Sequence, residues 1–262
     1  MMIGSMSTKN IVLFGETGAG KSSVVNLMAG KEIATTSPST ERCTMYWKKY
    51  PITFDGHNYN VFDTMGLEEP QLKIEEYLDA IVNARSLIMK LKHEGGIDLL
   101  LFCVRAGGRF TSAIQNHYRL FYEWLCEKKF PIVLVLTGLE NELNMEDRWP
   151  KCKVIFDRYN IVVDGHACIT AANKLDGRHR QLYEESRRLV RSLVKEHTHD
   201  RRDGTSKGDE RWKEGDGLKG SDSWFGRIIL RHRRALNTRS ATFLIKRCGM
   251  PPEAARYLTK IR

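Results

Sequence analysis

Short apolar runs of strand length alternate along the chain with longer stretches in which apolar residues recur at helical spacing. The runs at Asn10–Phe14, Tyr46–Thr53, His57–Phe62, Ile97–Val104, Ile132–Leu136 and His166–Thr170 read as strands. Several are continuously apolar, as strands buried on both faces are. Between them, Lys21–Ala29, about Gln71–Lys92, Ser112–Lys128, Glu146–Arg158 and Arg178–Glu196 read as helices. This alternation predicts βαβ units and a mostly parallel sheet in a three-layer α/β domain. The second and third strands are separated only by Phe54-Asp55-Gly56, and Asp-Gly is a strong hairpin signal, so one antiparallel edge pair is expected.

The pattern breaks after the last of these helices. From His199 to Asp222 there are five glycines, dense mixed charge, and only Trp212 and Leu218 as large apolar residues. That composition is a linker's. Beyond it, Trp224–Leu236 and Pro252–Ile261 each read as a short helix. The expected organisation is a domain over residues 6–197, a flexible linker over 198–222 and a basic helical tail over 223–262.

Composition narrows the class. The 262 residues, 41% hydrophobic and 28% charged, can bury a real core and are a poor match to collagen, coiled coil or wholesale disorder. No apolar run approaches the ~18 to 20 residues of a membrane span. The N-terminal segment has no basic region followed by an apolar one, so an intracellular, cytoplasmic protein is expected, with peripheral membrane attachment left open. The six cysteines show no CxxC pairing and no zinc spacing, and are expected to be reduced and structural. The net charge of +10 is uneven: residues 211–262 carry 13 Lys and Arg against 4 Asp and Glu, and the rest is nearly neutral. A basic tail on a neutral domain suggests attachment to an anionic membrane or protein surface. No reader motif supports sequence-specific nucleic-acid binding.

The chemistry begins at Gly15-Glu16-Thr17-Gly18-Ala19-Gly20-Lys21-Ser22, a GxxxxGK[ST] phosphate loop that leaves an apolar run and opens a helix at Ser22 and Ser23. Backbone N–H groups there would cradle phosphates, Lys21 would reach the β- and γ-phosphates, and the Ser22 hydroxyl would ligate Mg²⁺. About forty residues on, Asp63-Thr64-Met65-Gly66 ends a strand as DxxG. Asp63 suits a hold on Mg²⁺, and the Gly66 N–H suits a γ-phosphate contact. Thr40 and Thr44 compete as the second hydroxyl ligand, with Thr44 the choice because it directly precedes the second strand. The proposed catalytic set is therefore Lys21, Thr44 and Gly66.

Where a Ras-type GTPase carries Asn-Lys-x-Asp, this chain has Thr137-Gly138-Leu139-Glu140. Glu140 keeps the carboxylate that reads guanine, Thr137 could replace one amide contact, and Gly138 removes the lysine stem that would cover the base. Thr170-Ala171 stands where Ser-Ala supplies a backbone N–H to guanine. Leu67 occupies the place of the water-orienting Gln, so intrinsic turnover should be slow. Arg105 or Arg109 could act as a finger in trans. Glu16 reads as a loop-fixing or exposed residue in preference to a catalytic one, and His57, His117 and His166 as structural.

These residues resemble the septin-related GTPases, including immunity-associated GTPases and chloroplast-import receptors, over about Lys9–Val194. The nearest likeness is to fungal G-domain proteins, carried by Gly15–Ser23, Cys43-Thr44, Asp63–Leu67, Leu136–Glu140 and Asp164–Ala171. Gly108-Arg109-Phe110-Thr111 is similar to the extra box of immunity-associated GTPases. The resemblance implies a Ras-like fold, GTP/GDP and Mg²⁺ as ligands, a slow GTP hydrolase, and dimerisation across the nucleotide face. The alternatives are a low-turnover nucleotide-binding scaffold and an adaptor acting through its basic tail.

Overall fold

In a computed structural model, residues 8–35, 47–64, 66, 74–107, 110, 112–172, 177, 179–199 and 238–260 are described. Six strands form one sheet in the order β2-β3-β1-β4-β5-β6. They are β1 (Lys9–Phe14), β2 (Trp47–Phe54), β3 (His57–Thr64), β4 (Leu99–Arg105), β5 (Ile132–Thr137) and β6 (Gly165–Cys168). Every neighbouring pair is parallel except β2 and β3. Asp55 and Gly56 both have positive φ, as a two-residue hairpin turn requires, and Phe54 pairs with His57 across it.

The helices are α1 (Lys21–Ala29), α2 (Ile74–His93), α3 (Ser112–Tyr118), α4 (Trp149–Arg158), α5 (Arg180–His199), α6 (Thr238–Cys248) and α7 (Pro252–Lys260). Alternation along β1 explains the layers. Ile11 and Leu13 join Val24, Leu27 and Val190 on the α1–α5 face. Val12 and Phe14 join Ile81, Leu87, Phe121 and Phe156 on the opposite face. Phe14 stacks on both Phe102 and Phe121 at centroid distances of 4.8 and 4.5 Å, locking the strand that feeds the loop.

Three elements differ from the expectation. The single helix expected over 112–128 is α-helical only to Tyr118 and continues as a π-helix over Arg119–Leu125. The Cys126 N–H donates to the Phe121 carbonyl, and the chain leaves through Glu127 and Lys128 at positive φ. The helix expected from Glu146 starts as a 3-10 turn over Met145–Arg148, capped by the Asn144 side chain, before α4. The sixth strand stops at Cys168, short of Thr170.

Helix α6 was not expected at all. Leu244 and Cys248, four apart, are buried in the same core cluster as α2 and α3, together with Met250, Ala254 and Ala255. Arg119 donates to the Arg247 carbonyl at 2.9 Å. Residues 238–260 therefore pack with the domain core instead of standing apart from it. The helix expected at Trp224–Leu236, with most of the linker, lies outside the described residues.

Cys103, Cys126, Cys152, Cys168 and Cys248 are free and buried, as expected of structural thiols. Burial pushes Cys103, Cys168 and Cys248 up to about 12, far from thiolate reactivity. Cys43 lies outside the described residues. Among the described residues no helix is long and apolar enough to cross a membrane.

Candidate functional site

The loop from Gly15 to Gly20 connects β1 to α1, and α1 begins at Lys21, as the motif requires. Gly20 is left-handed and no side chain caps the helix, so its first N–H groups remain open toward the loop. Lys21 is buried, and its ammonium donates to the Gly15 and Glu16 carbonyls at 3.0 and 2.9 Å. Glu16 also accepts from the Ala19 N–H through its carbonyl, consistent with a loop-fixing role. Ser22 and Ser23 sit half-buried in the first turn of α1, while Thr17 and Gly18 are exposed at the loop tip.

Because β1 and β3 run parallel, with Leu13 in register with Asp63, the end of β3 reaches the loop. The Ser22 hydroxyl donates to Asp63 Oδ2 at 2.6 Å. Burial raises the Asp63 carboxyl above its ordinary range, while the Ser22 hydrogen bond and the nearby Lys21 ammonium pull it back. A divalent cation at this pair would relieve the same desolvation. Among the described residues no group of three or more His, Cys, Asp or Glu is arranged to hold a metal. The donor set of one hydroxyl and one carboxylate thus fits Mg²⁺ completed by phosphate oxygens and water.

Gly66 is buried directly against the loop. A Cβ on Gly66 would stand 2.3 Å from Thr17 Oγ1 and 2.5 Å from Thr17 N, so only glycine allows this approach. Thr44, Thr40, Arg109 and Leu67 lie outside the described residues, so the catalytic set is present only as Lys21 and Gly66.

At the other end of the cleft, β5 and β6 deliver the residues expected to meet a base. Thr137 is buried and donates through Oγ1 to the Ala19 carbonyl at 2.8 Å, tying β5 to the phosphate loop. Thr170 is fully buried; its N–H donates to Ser186 Oγ, and its hydroxyl donates to Glu140 Oε2 at 3.5 Å. Ile169 donates to Leu136 and Leu139 donates to Ile169, which brings Gly138 to Glu140 against Thr170 and Ala171. Arg105, in register with Thr137, ends β4 beside them. A cavity of about 320 Å³ opens next door, between Gly30 after α1 and Arg180, Tyr183 and Arg187 of α5, with Ala172 at its wall.

One feature escaped the sequence reading. Thr170 acts through its side chain on Glu140, besides any backbone role, and only the β5–β6 register reveals this. His117 is buried, with neither ring nitrogen hydrogen-bonded among the described residues. Burial first, and then the Lys21 charge, depress it to about 3. His166 holds Glu146 through Nε2 at 2.5 Å and stacks flat on Trp149 at 3.8 Å, and His57 meets the Tyr59 ring. Neither adjoins the loop.

A parallel sheet with a glycine-rich strand-to-helix loop and a DxxG glycine packed on it defines a Ras-like G domain. Comparisons with known proteins agree. The family model described as 50S ribosome-binding GTPase matches residues 10–138. Immune-associated nucleotide-binding protein 7 of Arabidopsis thaliana is 34% identical over 139 residues, covering 51% of this chain and 42% of that protein. GTPase Era of Caldicellulosiruptor saccharolyticus is 30% identical over 138 residues, covering 52% and 42%. The chain spans less than half the length of these relatives.

Among solved structures, Toc33 from Arabidopsis thaliana in complex with GDP and Mg²⁺ superposes with a TM-score of 0.52 at 20% identity, covering 75% of this chain and 86% of that one. Era in complex with MgGDPNP and nucleotides 1506–1542 of 16S ribosomal RNA gives 0.51 at 16%, covering 83% and 61%. These likenesses share the fold. Taken together, the matches make the chain similar to P-loop GTPases over about its first half, and the structures share its fold.

Proposed function

We propose that this chain binds Mg²⁺-GTP at Gly15–Ser23 and hydrolyses it slowly, acting as a switch or self-assembling regulator. The observation that carries the reading is the Ser22 hydroxyl on Asp63 Oδ2 at 2.6 Å beside the Lys21 ammonium, a hydroxyl, carboxylate and cation gathered at an open helix N-terminus. Ser22, Asp63 and Thr44 would hold Mg²⁺, which when bound neutralises charge on the β- and γ-phosphates. Lys21 exchanges its two carbonyl partners for phosphate oxygens. The Gly66 N–H, next to the loop tip, contacts the γ-phosphate and is released when that group leaves. Glu140, steadied by Thr170, accepts from the guanine edge.

Leu67 cannot orient a water, which supports slow turnover and keeps a low-turnover scaffold as the second reading. Help from a second copy across the nucleotide face is part of the proposal. Among proteins of this fold, dimerisation is important for the GTPase activity of the chloroplast translocon components atToc33 and psToc159. The finer likeness to septin-related and fungal G-domain proteins rests on the motifs alone. Attachment of residues 223–262 to an anionic membrane or protein surface rests on their charge. The RNA-bound Era structure shows this fold beside nucleic acid, so the expectation of no sequence-specific nucleic acid is not carried forward.

Single-turnover hydrolysis of GTP beside ATP, at several protein concentrations, tests the reading. Preference for GTP with a slow rate that rises with concentration is expected. Equal binding of GTP and ATP would overturn the guanine assignment, and binding without any turnover would favour the scaffold.

A further inference from the structure

The base end holds a cation, Arg105, for which the sequence suggested only a finger in trans. Arg105 is the last residue of β4 and is exposed. Its neighbour fixes the backbone: the Ala106 N–H donates to the Thr137 carbonyl, and the Ala106 carbonyl accepts from Arg148, each at 2.8 Å. The Arg105 side chain lies across Gly138. A Cβ built on Gly138 would stand 3.3 Å from Arg105 Cγ, 3.5 Å from Nε and 3.9 Å from Cζ. Gly138 itself has φ +81, where a side chain is strained. Among the described residues the Arg105 guanidinium has no hydrogen-bond or ion-pair partner.

The position of Gly138 is the one from which a lysine stem covers the base in Asn-Lys-x-Asp. We propose that Arg105 covers the purine face of the bound nucleotide from within the same chain, through the space that Gly138 leaves open. This deepens the guanine-nucleotide reading and rests on it. A guanidinium is planar, weakly hydrated and stacks on aromatic faces, so it suits this contact better than a flexible ammonium. A cation over the ring face is indifferent to the groups on the ring edge. Arg105 therefore adds affinity for purines in general and leaves the choice of guanine to Glu140. A finger in trans differs on both counts, because it acts on charge developing at the γ-phosphate and needs a second copy.

The test is equilibrium titration of the full chain, at dilute protein, with fluorescent GDP and ADP and with inorganic tripolyphosphate as a base-free competitor. Arg105→Ala is expected to weaken GDP and ADP by the same factor, about tenfold, with tripolyphosphate competition unchanged. Arg105→Gln, which keeps the stem, should fall between. Gly138→Lys should weaken binding on its own, because its stem meets Arg105, and should restore part of the loss in the Arg105→Ala background. An unaltered melting temperature for Arg105→Ala, expected at an exposed site, separates these effects from misfolding.

Wild-type protein that binds GDP, with Arg105→Ala binding equally well, overturns the proposal alone; so does a parallel loss of tripolyphosphate, which would put Arg105 on the phosphates. Wild-type protein that does not bind GDP overturns the guanine-nucleotide reading and the proposal together.

Discussion

At the phosphate end of the cleft, the loop, Lys21 and Ser22 come from eight consecutive residues, Gly15 to Ser22. At the base end, Arg105, Thr137, Glu140 and Thr170 come from the termini of β4, β5 and β6. The first end is built by local geometry: a strand, a glycine turn and a helix N-terminus leave little choice of arrangement. The second is built by register, since parallel pairing decides which side chain stands beside which. Substitution is correspondingly freer there. The phosphate end keeps its motif residue for residue, whereas the base end carries Thr137 and Gly138 where Asn-Lys-x-Asp has asparagine and lysine; Thr137 ties it to the phosphate loop, and on our proposal Arg105 covers the base.

The largest effect that would break this contrast is at Lys21. Lys21→Ala removes the ammonium that we propose neutralises the phosphates, and truncating one partner of a buried charge pair costs about 2–5 kcal/mol. GTP, ATP and tripolyphosphate should all lose affinity together, measured by the same titration. If GTP alone weakened, the phosphate end would not be the base-blind half of the site.

The next effect concerns the packing beneath that end. His117 is held neutral, its value depressed from 6.5 to about 3 by burial and by the Lys21 charge. Its contribution to stability is complete above pH 6.5 and is lost as pH falls toward 3, because the unfolded chain takes up the proton first. By pH 4 the loss is about 3 kcal/mol, at roughly 1.4 kcal/mol per pH unit. His117→Leu should therefore flatten the decline in melting temperature between pH 6.5 and 4. At pH 7 it should not destabilise, since it removes two buried nitrogens without hydrogen bonds. A decline as steep as the wild type's would assign the acid sensitivity to other groups.

Legibility in the sequence follows the same division. The phosphate loop and the Asp-Gly hairpin are contiguous, and each stands where its motif places it, with the described Gly66 of the DxxG motif against the loop. The sheet followed from continuous apolar runs. Arg105 beside Gly138 and Thr170 on Glu140 were hidden because strand register is not written in any one segment. Helix α6 carried a readable signal in Leu244 and Cys248 four apart, with Gly249 at positive φ ending it. The surrounding run of basic residues masked that signal. The π-helical continuation of α3 left no trace in spacing, because apolar positions one residue out of α register look like ordinary scatter over a single turn.

A smaller effect sharpens the base end. Glu140→Ala should erase most of the GTP preference while sparing ATP affinity, with a cost of about 1–3 kcal/mol for GTP typical of hydrogen bonds to a charged group. Competition titrations of GTP against ATP read it directly. A loss shared equally by ATP would mean that Glu140 supports the fold of the loop and does not read the base.

The smallest effect asks whether the two ends are mechanically joined. Thr137 Oγ1 donates to the Ala19 carbonyl at 2.8 Å, a buried bond from β5 to the phosphate loop. Thr137→Val keeps the shape and deletes the donor, at a cost of about 1 kcal/mol if the Ala19 carbonyl finds no replacement. Since the tether holds the loop and not the base, GTP and ATP affinity should fall alike, by less than tenfold, together with a small drop in melting temperature. The double variant Thr137→Val with Glu140→Ala then decides the coupling. Additive losses mean that Thr137 serves the phosphate end only. A combined loss smaller than the sum means that the tether also sets the position of Glu140 three residues on, and the two ends act as one unit.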